Sequence, residues 1–86
     1  MLLWDKEKNK RLIKERNLNF EVIAEIIFMK QYIDIVQHPK RENQLMFIIR
    51  INDYIHAVPF VVDKDGNIIL KTIFPSRKYH KIYGGK

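Results

Sequence analysis

Apolar residues recur along the chain in two different rhythms, and the change falls near Lys30. Before it the spacing is helical. Phe20, Ile23, Ala24 and Ile27 stand at i, i+3, i+4 and i+7, with Val22 and Ile26 widening the stripe, which predicts a well-buried helix over residues 20–29. Upstream, Leu12 and Ile13 face inward while Lys6, Lys8, Lys10, Arg11 and Lys14 point out, predicting a first helix that runs to Arg16. Asp5 can cap it by satisfying orphan backbone N–H groups, and Asn17 and Asn19 suit its stop and the next start. After Lys30 the pattern turns extended. Residues 32–36 read as a strand, closed by His38-Pro39 and a polar stretch up to Gln44. The β-branched and aromatic run Leu45–Ile51 follows, then Asn52-Asp53 as a two-residue turn, and Tyr54–Val62 returns. Asp63-Lys64-Asp65-Gly66 is a second turn, and residues 67–74 form a last strand that Pro75 breaks. The predicted class is α+β: two N-terminal helices on one face of a four-stranded antiparallel sheet, with a short basic C-terminal tail.

The turns fix which side chains share a face. With Asn52-Asp53 as the turn, Ile51 opposes Tyr54, Arg50 opposes Ile55 and Ile49 opposes His56. A five-residue second loop sets Val62 against Ile68 and Pro59 against Lys71. Phe47, Ile49, His56, Phe60, Leu70 and Phe74 then floor the helices, and His56 reads as a core-face histidine with a satisfied partner. Arg50, Lys71 and Ile73 fall on the opposite face, so the two cations meet there; a four-residue loop would separate them.

Composition narrows the class. The 86 residues, 47% hydrophobic and 30% charged, suit one globular domain over residues 1–86. There is no cysteine, which removes a disulfide framework, a thiolate metal site and a thiol nucleophile together. The longest apolar run, Leu45 to Ile49, is five residues, against the roughly 20 of a membrane span. Met1 leads almost at once into charged residues, so no secretory leader and no membrane partner are expected and the predicted location is cytoplasmic.

Sixteen Lys and Arg against ten Asp and Glu give a net charge of +6, concentrated at the two ends. Residues 1–20 hold six bases and three acids, and residues 68–86 hold five bases (Lys71, Arg77, Lys78, Lys81, Lys86) and no acid. A one-sided excess interleaved with Tyr79, His80 and Tyr83 is what a phosphate-rich partner requires; the plainer alternative is a solvated basic tail.

Metal ligation is not supported by spacing, since His38, His56 and His80 lie in a turn, a strand and a tail. Asp63 and Asp65 read as turn formers rather than as an acid–base pair, and Gly84-Gly85 has no helix after it to cradle phosphate. Arg50, Lys71 and the run from Arg77 to Tyr83 are left. Metal-free RNA cleavage needs a group to take the 2′-hydroxyl proton, cations for the charge on phosphorus and a proton for the leaving oxygen. Guanidinium and ammonium groups supply the second, His or Tyr the others, and Tyr79 and Tyr83 can stack unpaired bases.

Several short stretches resemble one known family. Trp4-Asp5 followed by Lys8 and a Lys/Arg-rich first helix, Asn19-Phe20-Glu21 opening the second helix, and Ile73-Phe74-Pro75-Ser76-Arg77 before a basic tail are similar to the BrnT-type toxins of type II toxin–antitoxin systems. The second stretch matches that family's Ser-Phe-Glu-like signature and the last its Ser-x-Arg-like element, and length, element order and basicity match over nearly the whole chain. The resemblance implies a RelE-like fold and a ribonuclease that suppresses translation. It also implies a cognate antitoxin of ribbon-helix-helix type, whose complex with the toxin represses its own operator DNA. Arg77 carries over on the Ser-x-Arg match, and Arg50 corresponds loosely to a basic position of the sheet. Two features depart from the pattern. Val61-Val62-Asp63-Lys64 stands where the family has Thr-x-Arg, and the tail from Lys78 is shorter than the usual third helix.

The leading expectation is a metal-independent toxin ribonuclease with no cofactor. Arg77 and Lys71 hold the scissile phosphate with Arg50 assisting, His80 or Tyr83 transfers protons, and Lys78, Tyr79 and Lys81 bind RNA. One alternative is a non-catalytic protein that binds an antitoxin and, through its basic surface, nucleic acid. Another is a poison of a DNA-processing enzyme, since the resemblance extends to a superfamily that includes gyrase inhibitors.

Overall fold

A polar side chain starts each of the three helices among the described residues. Asp5 caps α1 (Lys6–Arg16), accepting from the N–H groups of Glu7 and Lys8 at 2.8 and 3.3 Å. Asn19 caps α2 (Phe20–Phe28) through the Glu21 N–H at 2.8 Å, and Ser76 caps α3 (Arg77–Tyr83) through the Tyr79 N–H at 3.2 Å. Asn17 ends α1 in the left-handed region (φ 56°), where its amide side chain is tolerated. This computed structural model describes residues 1–84; Gly85 and Lys86 of the predicted tail lie outside the described residues.

The strands are β1 (Leu2–Leu3), β2 (Asp34–Gln37), β3 (Leu45–Ile51), β4 (Tyr54–Val62), β5 (Ile68–Leu70) and β6 (Phe74–Pro75). They form one six-stranded sheet in the order β1-β5-β4-β3-β2, with β6 also paired to β4. Asn52 and Asp53, at φ 52° and 65°, make the tight turn whose twist suits a hairpin, and the register Ile51↔Tyr54, Arg50↔Ile55, Ile49↔His56 follows from it. Asp63 accepts from the N–H groups of Asp65 and Asn67, closing the next loop so that Val62 opposes Ile68.

The predicted two-helix, four-stranded antiparallel architecture is overturned at three places. First, the sheet is mixed: β1 runs parallel to β5, with Leu2↔Ile68 and Leu3↔Ile69. Two residues are too few to show a period, so nothing in the pattern marked them. Second, the last strand is broken in two. Between Leu70↔Phe60 and Phe74↔Ala57 the β5–β6 side advances four residues while β4 advances three, a one-residue bulge across Lys71, Thr72 and Ile73. Third, the tail is a helix. α3 covers the sheet face opposite α1 and α2, with Tyr79 and Tyr83, four residues apart, packed on Met46, Ile48, Ile55 and Ala57.

Two cores result, one on each side of the sheet. Leu12, Leu18, Phe20, Ile23 and Ile27 from the helical side meet Phe47, Ile49, Val58, Phe60 and Leu70, with Trp4 stacked on Phe20 at 5.9 Å. The bulge turns Ile73 into this cluster and sends Phe74 to the α3 side, the reverse of the predicted faces. Among the described residues no helix is long and apolar enough to cross a membrane.

Candidate nucleic-acid interface

Lys8, Arg11, Leu12, Glu15 and Arg16 lie on one face of α1 at i, i+3, i+4, i+7 and i+8. Leu12 turns into the core, and its charged neighbours flank the seam between α1 and residues 71–77. Four depressions follow that seam, of about 300, 220, 390 and 500 Å³, and each shares lining residues with the next. The first two share Lys8 and Thr72, the second and third Arg16, and the third and fourth His56 and Pro75. We call this run of adjoining depressions the groove.

Its charge is one-sided. Six cations line it (Lys8, Arg11, Arg16, Arg41, Lys71 and Arg77) against one carboxylate, Glu15. None of the six is ion-paired among the described residues; the ion pair there, Lys10 with Glu7 at 3.7 Å, lies outside the groove. His38 Nδ1 accepts from the Lys40 and Arg41 N–H groups at 3.0 and 3.2 Å, which shapes the loop that brings Arg41 to the groove. Unpaired cations along a concave seam focus positive potential and suit a polyanion.

At the far end of the groove sits His56, held on β4 between Ile49 of β3 and Pro75 of β6 and 8% exposed. Its Nδ1 lies 3.0 Å from the Tyr54 carbonyl oxygen. A carbonyl can only accept, so Nδ1 carries the proton and the neutral ring leaves Nε2 as a base. Burial pushes the imidazole pKa below its ordinary 6.5, with the Tyr54 carbonyl acting in the opposite sense.

The residues predicted for the site divide among several surroundings. Arg77, exposed in the first turn of α3, lines the last depression with Tyr54 and His56. Lys71 lines the first with Lys8 and Arg41, its N–H bonded to the Pro59 oxygen at 2.8 Å. Arg50 lies on the α3 side and donates from Nη2 to the Tyr83 carbonyl at 3.3 Å, among the last carbonyls of α3. Its partner across the strands, Ile55, is four residues from Pro59 along β4, about 13 Å of strand. No described depression holds two of Arg50, Lys71 and Arg77.

The predicted proton carriers are engaged elsewhere. His80 Nδ1 accepts from the Ile55 N–H at 3.2 Å, and its ring stacks on Tyr54 at 4.0 Å. Tyr83 donates its hydroxyl to Asp34 Oδ2 at 2.6 Å. That bond is the main reason the Tyr83 pKa is raised and the Asp34 pKa lowered. Tyr79 packs on the second core beneath Lys78, whose ammonium lies 5.4 Å from its ring centre, and Lys81 is exposed on α3. No three His, Asp or Glu side chains among the described residues come together as a metal site requires.

Sequence reasoning missed Lys8, Arg11, Arg16, Arg41 and His56 as groove residues. For the three on α1 a signal was present, since they bracket Leu12 at helical spacing. For His56 there was none, because it shares the alternation of the core-facing positions. Comparison of the chain with protein-family models, with curated proteins and with solved structures gives no match.

Proposed function

We propose that this chain is the toxin of a type II toxin–antitoxin pair, BrnT-like in kind, and acts as a metal-independent ribonuclease on RNA laid along the groove beside α1. The observation that carries this reading is the row of six cations, unpaired among the described residues, against one carboxylate. Arg77 holds the scissile phosphate, and Lys71 and the α1 cations hold its neighbours. Arg50, His80 and Tyr83 fix α3, and through it Arg77. A ribbon-helix-helix antitoxin with an acidic or amphipathic segment would cover the groove and block RNA by charge, and operator DNA would be met only in that complex. The activity belongs to the cytoplasm, where the transcripts are.

The test is cleavage of RNA in EDTA by the wild-type protein beside Arg77→Ala. A loss of about 10²-fold or more is expected from removing one fixed donor at the developing charge. Equal cleavage by both removes Arg77 from the mechanism. A second reading, RNA binding without cleavage, is favoured by one observation: His80 Nδ1 and the Tyr83 hydroxyl already have partners within the fold. Tight, salt-sensitive binding with no cleavage would select it.

A further inference from the structure

We propose that His56 is the group that takes the proton from the RNA 2′-hydroxyl, an assignment that rests on the ribonuclease reading above. Three observations converge on it. The Tyr54 carbonyl fixes the ring as the Nδ1–H tautomer, so the free lone pair is on Nε2. No fully buried side-chain nitrogen or oxygen among the described residues lacks a partner, and Nε2 has none there, so Nε2 keeps some access to solvent. Solvent at His56 is the groove itself, since the residue lines both of its last two depressions.

The surroundings complete the geometry. Arg16 comes from α1, Arg77 from α3 and Tyr54 from the same strand; these are the charged and titratable groups around the ring, and no carboxylate lines either depression. Tyr54 meets His56 edge-on at 6.1 Å and carries His80 stacked on its ring. A phosphodiester held by Arg77 would lie in the depression that His56 lines, with Arg16 in the adjoining one. Burial lowers the imidazole pKa below its ordinary 6.5, which favours the neutral ring that a general base requires.

In the step, the 2′-oxygen forms a bond to phosphorus as its proton passes to Nε2. The bond from phosphorus to the 5′-oxygen breaks, its electron pair leaves on that oxygen, and water in the open groove supplies the proton it needs. The products are a 2′,3′-cyclic phosphate and a 5′-hydroxyl, and the imidazolium returns its proton to water.

The deciding variant is His56→Asn, whose amide N–H can still donate to the Tyr54 carbonyl but offers no base. Affinity is read with a 2′-O-methyl RNA, which cannot be cleaved, and rate with the matching RNA in EDTA from pH 5 to 8. The expected result is affinity within about twofold of wild type and cleavage slowed about 10²-fold or more, the usual contribution of a general base. Wild-type cleavage should also fall as pH drops below 6.5, along the His56 titration followed by NMR in the same protein. If the wild type cleaves and His56→Asn matches its rate, the assignment to His56 fails while the ribonuclease reading stands. NMR showing Nε2 protonated at pH 7 in the wild type would overturn it equally, whatever the variant's folding. Binding by wild type with no cleavage at any pH would instead overturn the ribonuclease reading, and this inference with it.

Discussion

Ionic strength is the perturbation that separates a groove from a charged tail. A protein that neutralises Z phosphates of a single strand loses affinity with a slope near −0.7Z in log salt. The groove offers six cations, Lys8, Arg11, Arg16, Arg41, Lys71 and Arg77. If each meets one phosphate, the slope is about −4, and affinity falls about 300-fold between 50 and 200 mM salt. Binding through the exposed cations of α3 alone, Arg77, Lys78 and Lys81, gives a slope of about −2 and a loss of about 20-fold over the same range. Fluorescence anisotropy with a labelled 2′-O-methyl oligonucleotide measures both, without interference from cleavage. Substitutions sharpen the comparison. Arg11→Ala, on α1 and far along the chain from the basic tail, should make the slope shallower by about 0.7, while Lys78→Ala leaves it unchanged. A slope no steeper than about −2, indifferent to Arg11, would refute the groove and leave the tail as the binding element.

Two further outcomes follow from the fold. Asn9 is a buried polar residue on α1 whose Oδ1 accepts the Phe20 N–H at 2.8 Å and whose Nδ2 donates to Asn19 at 3.3 Å; Asn9→Ala strands that buried N–H and should cost about 1–3 kcal/mol. In a chain of this size each kcal/mol lowers Tm by about 4–8 °C, so a thermal melt unchanged by the substitution would show that Asn9 does not tie α1 to α2. The second concerns the latch between Tyr83 and Asp34. Asp34 is lowered from 3.8, so its contribution is present above that value and fades as pH falls through the folded-state pKa. Tyr83 is raised from 10.0, so its contribution is present below pH 10 and fades as pH rises through the raised value. Tyr83→Phe should flatten both limbs of the stability–pH curve; limbs identical to wild type would mean the bond does not hold α3 in solution.

The parts of this fold that could be read from the sequence are those where a period runs long enough to repeat. α2 shows its stripe over two turns, and the β3–β4 hairpin follows from Asn52 and Asp53, which tolerate the positive φ its turn needs. What escaped was short or bent. Leu2–Leu3 is too brief to alternate, and the bulge at Lys71–Ile73 breaks no sequence rule, because Ile73 and Phe74 are both apolar and either can face either core. One signal for α3 was present. Met46, Ile48, Ile55 and Ala57 make the second sheet face apolar as well, and such a face needs a cover. Ser76 with Tyr79 and Tyr83 at helical spacing is a suitable one.

The same helix explains why chemistry-bearing residue types misled about the site. Arg50, His80 and Tyr83 have the functional groups of a nuclease centre, yet each spends them on α3: a guanidinium on a terminal carbonyl, an imidazole on the Ile55 N–H, a phenol on Asp34. An atom whose bond holds α3 in place is poorly placed to exchange protons with a substrate, because every turnover would break that contact. Donors and a base that make no bond among the described residues also line the groove on the other side. They belong to Arg16, Arg77 and the Nε2 of His56, at the end of a groove opened where the last strand takes one extra residue. The bulge thus does two jobs at once, turning Ile73 into the core to anchor the wall and delivering Ser76 to start α3, so that Arg77 emerges from the first turn of that helix beside His56.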